Sequence, residues 1–378
     1  MIQHSHTPAL LVLLSLALTL SACGSTKHDI NLPPGFSLSL YADELPGARQ
    51  MALGEQGTVF VGSNQGGKTY ALINKNNALE AEKTVIIKND LELPTGVAVQ
   101  QGTLYVAGLD KIIRYKEIEK QLVSNSKPQS MLLTSTLPGK SHHGRRVLEF
   151  SPNGKLFATV GMPCNICELQ DPYMGSILQI NLTSGKASVY ASGVRNSVGL
   201  AWQPDTHKLW FTDNGRDWLG NDLPPDELNT ADKPGMHFGF PYFYGNNQAE
   251  QDYQAKQTPF NATPPTLELQ AHSAPLGLSF YTGDMFPQEY KNSLFIAQHG
   301  SWNRAGKVGY QILNVKLKGD KVISSSVFAK GWLTGQSVSG QPVDILQLQD
   351  GSMLISDDKA GAIYRISYHS PQSNSALN

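Results

Sequence analysis

The sequence predicts an all-β fold, a six-bladed β-propeller. A short apolar strand, a Gly- or Asp-centred turn and a second apolar strand recur six times. The units follow one another without a Pro/Ser-rich linker, and no helical heptads interrupt them. Each unit is a hairpin too small to bury both of its faces, so it must stack on its neighbours. Closing the stack into a ring leaves only short, protected edges.

The units fall at residues 50–62, 95–107, 147–159, 198–212, 276–297 and 343–356. The third turns at Pro152-Asn153-Gly154, the fourth at Pro204-Asp205 and the sixth at Asp350-Gly351, all turn-forming residue types. The fifth has a longer turn. Together they predict one domain over residues 32–369, followed by a polar tail at 370–378.

The chain has 378 residues, 40% of them apolar, and a net charge of −1. That is ample for a large core. The charge balance lacks the basic footprint of a nucleic-acid binder. Residues 1–22 read as a lipoprotein signal peptide. An apolar run ends in Leu20-Ser21-Ala22-Cys23, the pattern of a lipidated cysteine. The run is shorter than the roughly 20 residues of a spanning helix. Residues 23–31 are then lipidated Cys23 and its tether, with Gly24 pointing to the outer membrane of a Gram-negative cell and the body facing the periplasm. Membrane contact is through the lipid anchor only.

The remaining cysteines are Cys164 and Cys167, spaced CxxC. No His follows, and no second CxxC supplies a zinc site. In an oxidising compartment they read as a local disulfide; a redox-active dithiol is the alternative. Two long connections leave inner strands, at residues 213–270 and 298–309, and long loops of this kind carry function.

Polar residues gather where inner strands begin or end. His142, His143, Arg145 and Arg146 open blade three, and Arg195 and Asn196 open blade four. Residues 213–227 leave blade four. Gln298, His299, Trp302 and Arg304 leave blade five; Asp344 opens blade six and Asp357, Asp358 and Lys359 leave it. A ring brings such strand ends into one pocket, where an anion can lie beside a base.

These phrases also carry a family resemblance. His142-His143-Gly144-Arg145-Arg146 with residues 150–157, the stretch 193–201, Thr212-Asp213-Asn214-Gly215-Arg216-Asp217, and residues 223–228, 274–278, 298–304 and 356–358 recur in order. They resemble the glucose and sorbosone dehydrogenase family of soluble quinoproteins, its sorbosone dehydrogenase-like branch above all. The resemblance implies pyrroloquinoline quinone (PQQ) in the channel, with Ca²⁺. It implies oxidation of an aldose or related sugar or aldehyde at C1, to the lactone or acid, with hydride passing to the quinone. The electrons then leave to an acceptor that the sequence does not name; nor does it fix the oligomeric state.

By its place four residues before Arg146, His142 matches the family's base, and His143 competes with it or faces the substrate. Arg195 matches the arginine on the quinone oxygens, with Asn196 beside it. The turn of Gly215 and Arg216 matches the Ca²⁺-binding carbonyls, and Asp226 and Glu227 add carboxylates. Trp302 and Tyr242 fall on the substrate side. The glucose-oxidising branch has two arginines at the start of the last blade; here Gln341 and Val343 stand there, and Arg304 or Lys359 replaces a cofactor lysine. A hydrogen bond to a charged group contributes roughly 1.5–3 kcal/mol, so these departures predict weakened PQQ binding. Two other readings use the same mouth: a non-catalytic propeller that binds carbohydrate or protein, and a Ca²⁺-dependent lactone hydrolase.

Overall fold

The computed structural model describes residues 30–74, 78–124 and 127–370. Six antiparallel sheets stand around a central channel, forming a six-bladed propeller. The six repeated phrases are the first two strands of each blade. In blade one these are Ala48–Leu53 and Val59–Ser63, in blade two Gly96–Gln100 and Thr103–Ala107, and in blade three Leu148–Phe150 and Leu156–Val160. Blades four, five and six contribute Leu200–Trp202 with Leu209–Asp213, Pro275–Phe280 with Leu294–Gln298, and Pro342–Gln347 with Met353–Asp357. The signal peptide, Cys23 and residues 371–378 lie outside the described residues. Among the described residues no helix is long and apolar enough to cross a membrane.

The second strands read as unbroken apolar runs because both of their faces are covered. Val59–Ser63 and Leu156–Val160 are buried at every position. The core is divided into six layers, one between each pair of neighbouring blades. Phe60 of blade one meets Leu104 and Val106 of blade two; Trp210 of blade four meets Leu278 and Leu294 of blade five. Each such side chain contributes about 1.5–3 kcal/mol of burial. The ring closes through the chain's first strand. Phe36–Ala42 pairs antiparallel with Ala362–Tyr368 as the outer strand of blade six. Phe36 seats its ring among Phe286, Tyr290, Phe328 and Tyr368, with centroids 4.8 to 5.4 Å away.

The connection expected over 213–270 holds more structure than its sequence suggests. Asp226–Ala231 is the third strand of blade four and Leu267–Leu269 its fourth. Met236–His237 adds a fifth, parallel strand to blade three. Asp226 and Glu227 are therefore buried strand residues and not part of a solvated loop.

Antiparallel pairing places the start of each first strand and the end of each second strand on one edge of its blade. Pro275 pairs with Gln298 and Pro342 with Asp357. Six such edges form one mouth of the channel.

Candidate active site

On the side of blades six, one and three the mouth is cationic. Arg49, missed in the sequence reading, opens the first strand of blade one. Its Nη1 lies 2.9 Å from Oδ2 of Asp358, and His299 Nε2 lies 2.9 Å from Oδ1 of the same carboxylate. Gln341 Nε2 reaches His299 Nδ1 at 3.2 Å. Burial alone would raise Asp358, but the bond to His299 and the charge of Arg49 hold it far below the usual carboxylate range. Arg145, which opens blade three, donates from Nε to Asn64 Oδ1 at 2.9 Å. Partial desolvation and repulsion from Arg49 lower its pKa. Arg49, Arg145, Val198, Val343 and Asp344 line one cavity at the channel axis. Arg49 was findable: an arginine opens the inner strand of blade one, as Arg145-Arg146 and Arg195 do in blades three and four.

On the side of blades three and four, Arg195 is buried. Its Nε donates to the Asn165 carbonyl (2.8 Å) and Nη1 to the Asn214 carbonyl (3.1 Å). Its Nη2 reaches Asn165 Oδ1 (2.9 Å) and Asp217 Oδ2 (3.2 Å). A guanidinium has five N–H groups, so these contacts leave one Nη1–H. Asp213 accepts the backbone N–H groups of Arg195 and Asn196 at 2.8 and 2.6 Å.

The two histidines of the expected site are treated differently by the fold. His142 is exposed, its ring 4.1 Å from that of His143. His143 holds Nδ1 2.7 Å from the Met162 carbonyl, while the Met162 N–H donates to the Arg195 carbonyl at 2.8 Å. This pins Nδ1 as the protonated nitrogen and leaves Nε2 as the free acceptor. Burial first, then the charge of Arg195, pushes the His143 pKa down to about 3. A methyl group at Gly161 would stand 2.7 Å from His143 Cβ and 3.2 Å from Asn196 Oδ1, so His143 and Asn196 flank one point of the mouth.

Other expected residues are placed elsewhere. Arg304 pairs with Asp222 at 2.9 Å and donates to the Asn221 carbonyl; it serves a loop and not the channel. Lys359 is exposed. Gln341 supports His299, and Val343 is buried in the layer between blades. Arg216 pairs with Glu250 at 2.9 Å. Asp226 accepts from the Gly215 and Ala274 N–H groups, both at 2.9 Å, and from Ser273 Oγ at 3.2 Å. Its carboxylate is thus an internal brace between two loops. Glu227 accepts from Gly245 N–H and Asn229 Nδ2 at 2.8 and 3.0 Å, yet it still lines a small cavity with Asp213, Gly215 and Arg195. Among the described residues no three His, Cys, Asp or Glu side chains group as a metal site. Tyr242 lines a separate cleft with Glu168 and Phe260. Trp302 is 70% exposed and meets Trp218 edge to face, with centroids 5.3 Å apart. Cys164 and Cys167 are disulfide-bonded, as the spacing predicts.

Beyond the mouth the channel widens to about 270 Å³, lined by Glu149, Asp344, Trp202 and Phe280. Burial raises Glu149 and Glu227 to about 8 and Asp213 and Asp344 to about 7. These native carboxyls keep protons that the unfolded chain releases, so they stabilise at low pH and that stability is lost as pH rises. Burial pushes His143 and His237 the opposite way, to about 3 and about 4; their effect ends near the unfolded imidazole pKa of about 6.5. Between pH 6.5 and 8 the carboxyls act unopposed. The Tm of the metal-free protein is therefore expected to fall across that interval, read by calorimetry. A flat or rising Tm contradicts the assignment.

Three arginines and an oriented histidine thus gather at one mouth of the propeller. The chain belongs to the glucose/sorbosone dehydrogenase family, whose model matches residues 110–365. An uncharacterized protein of Borreliella burgdorferi is 36% identical over 362 residues, covering 92% of this chain and 93% of that one. Among solved structures, a Trichoderma reesei protein of carbohydrate-active enzyme family AA12 superposes with a TM-score of 0.78 at 19% identity, over 91% of this chain and 98% of that one. The holo PQQ domain of Coprinopsis cinerea pyranose dehydrogenase gives 0.75 at 17% identity, over 90% and 97%.

Proposed function

We propose that the chain is a PQQ-dependent sugar dehydrogenase that oxidises an aldose or related sugar at C1. The observation that carries this reading is that Arg49 and Arg145 line one axial cavity, and that Arg145 and Arg195, which lines a second cavity, both lie close enough to His143 to act on its charge. PQQ supplies, when bound, the acceptor for the sugar's hydride. Its three carboxylates call for fixed cations, and the Arg49 and Arg145 forks suit them. Arg195 has one N–H that would be available to a quinone oxygen, where its buried charge would stabilise negative charge. His143 Nε2 takes the hydroxyl proton while Nδ1 stays on the Met162 carbonyl. Trp302, with Trp218, offers exposed ring faces to the sugar.

Ca²⁺ takes oxygen ligands, backbone carbonyls included. Gly215 and Glu227, which line one cavity beside Arg195, are the residues that would hold it. Electrons leave to a separate acceptor. Lipidation at Cys23 would hold the propeller at the outer membrane, facing the periplasm.

The test is anaerobic titration of residues 24–378 with PQQ and Ca²⁺, followed by a panel of aldoses. Saturable binding, then bleaching of the quinone absorption by one sugar, is expected. No binding at tens of micromolar PQQ, with carbohydrate still bound, would establish the non-catalytic reading instead; lactone hydrolysis lost on chelation would establish the hydrolase.

A further inference from the structure

The CxxC motif acquires a role from what its loop encloses. Cys164 and Cys167 close a disulfide across Asn165 and Ile166, between the second and third strands of blade three. Asn165 meets Arg195 twice, through its carbonyl on Nε (2.8 Å) and its side-chain oxygen on Nη2 (2.9 Å). The same oxygen accepts the Asp217 N–H at 2.7 Å, and Asn165 Nδ2 donates to the Asp217 carbonyl at 3.0 Å. Asp217 in turn pairs with Arg195 and is held by Asn303 Nδ2 at 2.7 Å. Two of the four protein contacts of the guanidinium thus come from a residue inside the disulfide loop, and a third comes from a residue which that loop orients.

We propose that the disulfide loop is a positioning device for Arg195, with Asn165 as its positioning residue. The disulfide fixes the main-chain carbonyl, and the Asn165 amide fixes both the guanidinium plane and Asp217. An arginine has a long, flexible stem, so a buried guanidinium with one donor to offer needs its plane set from outside. The consequence for PQQ rests on the dehydrogenase reading; the geometry of Arg195 does not.

Two variants separate the two arms. Asn165→Ala removes the amide arm and keeps the disulfide. Cys164→Ser/Cys167→Ser frees the carbonyl arm and keeps Asn165. Substitution replaces chemical reduction because added thiols react with quinones. In the cofactor-free protein the Arg195 Nε–H resonance is expected to exchange slowly with solvent in the wild type and rapidly in both variants. Asn165→Asp, which keeps the acceptor for Arg195, is expected to restore slow exchange in part. With PQQ, each variant is expected to raise Kd about tenfold, the scale of one lost hydrogen bond to a charged group, and to lower kcat more than it raises the sugar KM. If both variants lower only the Tm, with Arg195 exchange and PQQ affinity as in the wild type, the loop is a structural staple and the proposal fails. If the wild type itself binds no PQQ, the dehydrogenase reading falls, and Arg195 exchange still decides the proposal.

Discussion

Replacing His143 by alanine is expected to lower kcat of the PQQ-loaded protein by about 10²–10⁴-fold, the usual contribution of a positioned general base. The same change at His142 is expected to alter it by less than about threefold, in line with a surface substitution. Both histidines lie at the mouth, and only their surroundings distinguish them. A general base needs a lone pair of fixed direction. His143 has it because the Met162 carbonyl, 2.7 Å away, claims the proton on Nδ1. Met162 is itself fixed by its N–H on the Arg195 carbonyl. His142 is exposed, its ring against that of His143 and not on a backbone carbonyl. The pH profile tests the same point. Burial and Arg195 push His143 down to about 3, so its basic form is present above that value and is lost only as pH falls toward it. In the PQQ-loaded, sugar-free enzyme that kcat/KM reports, burial still disfavours the imidazolium, so the acid limb is expected below the ordinary imidazole value of about 6.5. Full activity in the His143 variant, or an acid limb at 6.5 that vanishes in the His142 variant, would reverse the assignment.

The hairpins of all six blades were legible in the sequence because a buried strand pair leaves a local mark: apolar residues on both faces and a turn between them. The outer strands leave a weaker one. Lys83–Lys88 faces solvent along much of its length, and Asp226–Ala231 is polar because backbone amides of other loops satisfy its carboxylates. Ring closure was not legible as a pairing: Phe36 meets Tyr368 across the whole domain, and nothing near either residue encodes that register. In the site, Arg195 and the histidine pair followed from their places at strand starts. Which histidine is oriented did not, since the two are adjacent in sequence and the deciding carbonyl, that of Met162, lies beyond the second strand of the blade. Asn165 was hidden for the same reason. Its partners Arg195 and Asp217 belong to the next blade, and the CxxC spacing described only the loop that carries it.

Arg145→Ala is expected to raise the Kd for PQQ by about 10–100-fold, the scale of a lost charge-assisted hydrogen bond, without lowering the Tm. Arg145 makes one side-chain contact to the protein, on Asn64, and is otherwise exposed in the mouth, so its removal takes a cation from the ligand and little from the fold. Arg49→Ala is expected to weaken PQQ at least as much and to lower the Tm as well. Asp358 is only 12% exposed and would lose its arginine, and a buried carboxylate without its partner is costly. This pair answers the departure in the last blade. The side chain at Val343 is apolar, 2% exposed, and packs between blades with Phe157, Leu200 and Leu276, so it offers the ligand no cation. Gln341 is engaged with His299. The positive charge missing from blade six is present instead on blades one and three, lining the same axial cavity. Weak binding is then not the necessary result of losing the two expected arginines. Arg145→Lys separates charge from geometry: it keeps the cation but loses the planar fork, and is expected to fall between wild type and Arg145→Ala. Raising the salt concentration is expected to weaken wild-type binding more than that of either alanine variant. If Arg145→Ala and Arg49→Ala both bind PQQ as the wild type does, the carboxylates are held elsewhere, and the polyanion site assigned to this mouth is wrong.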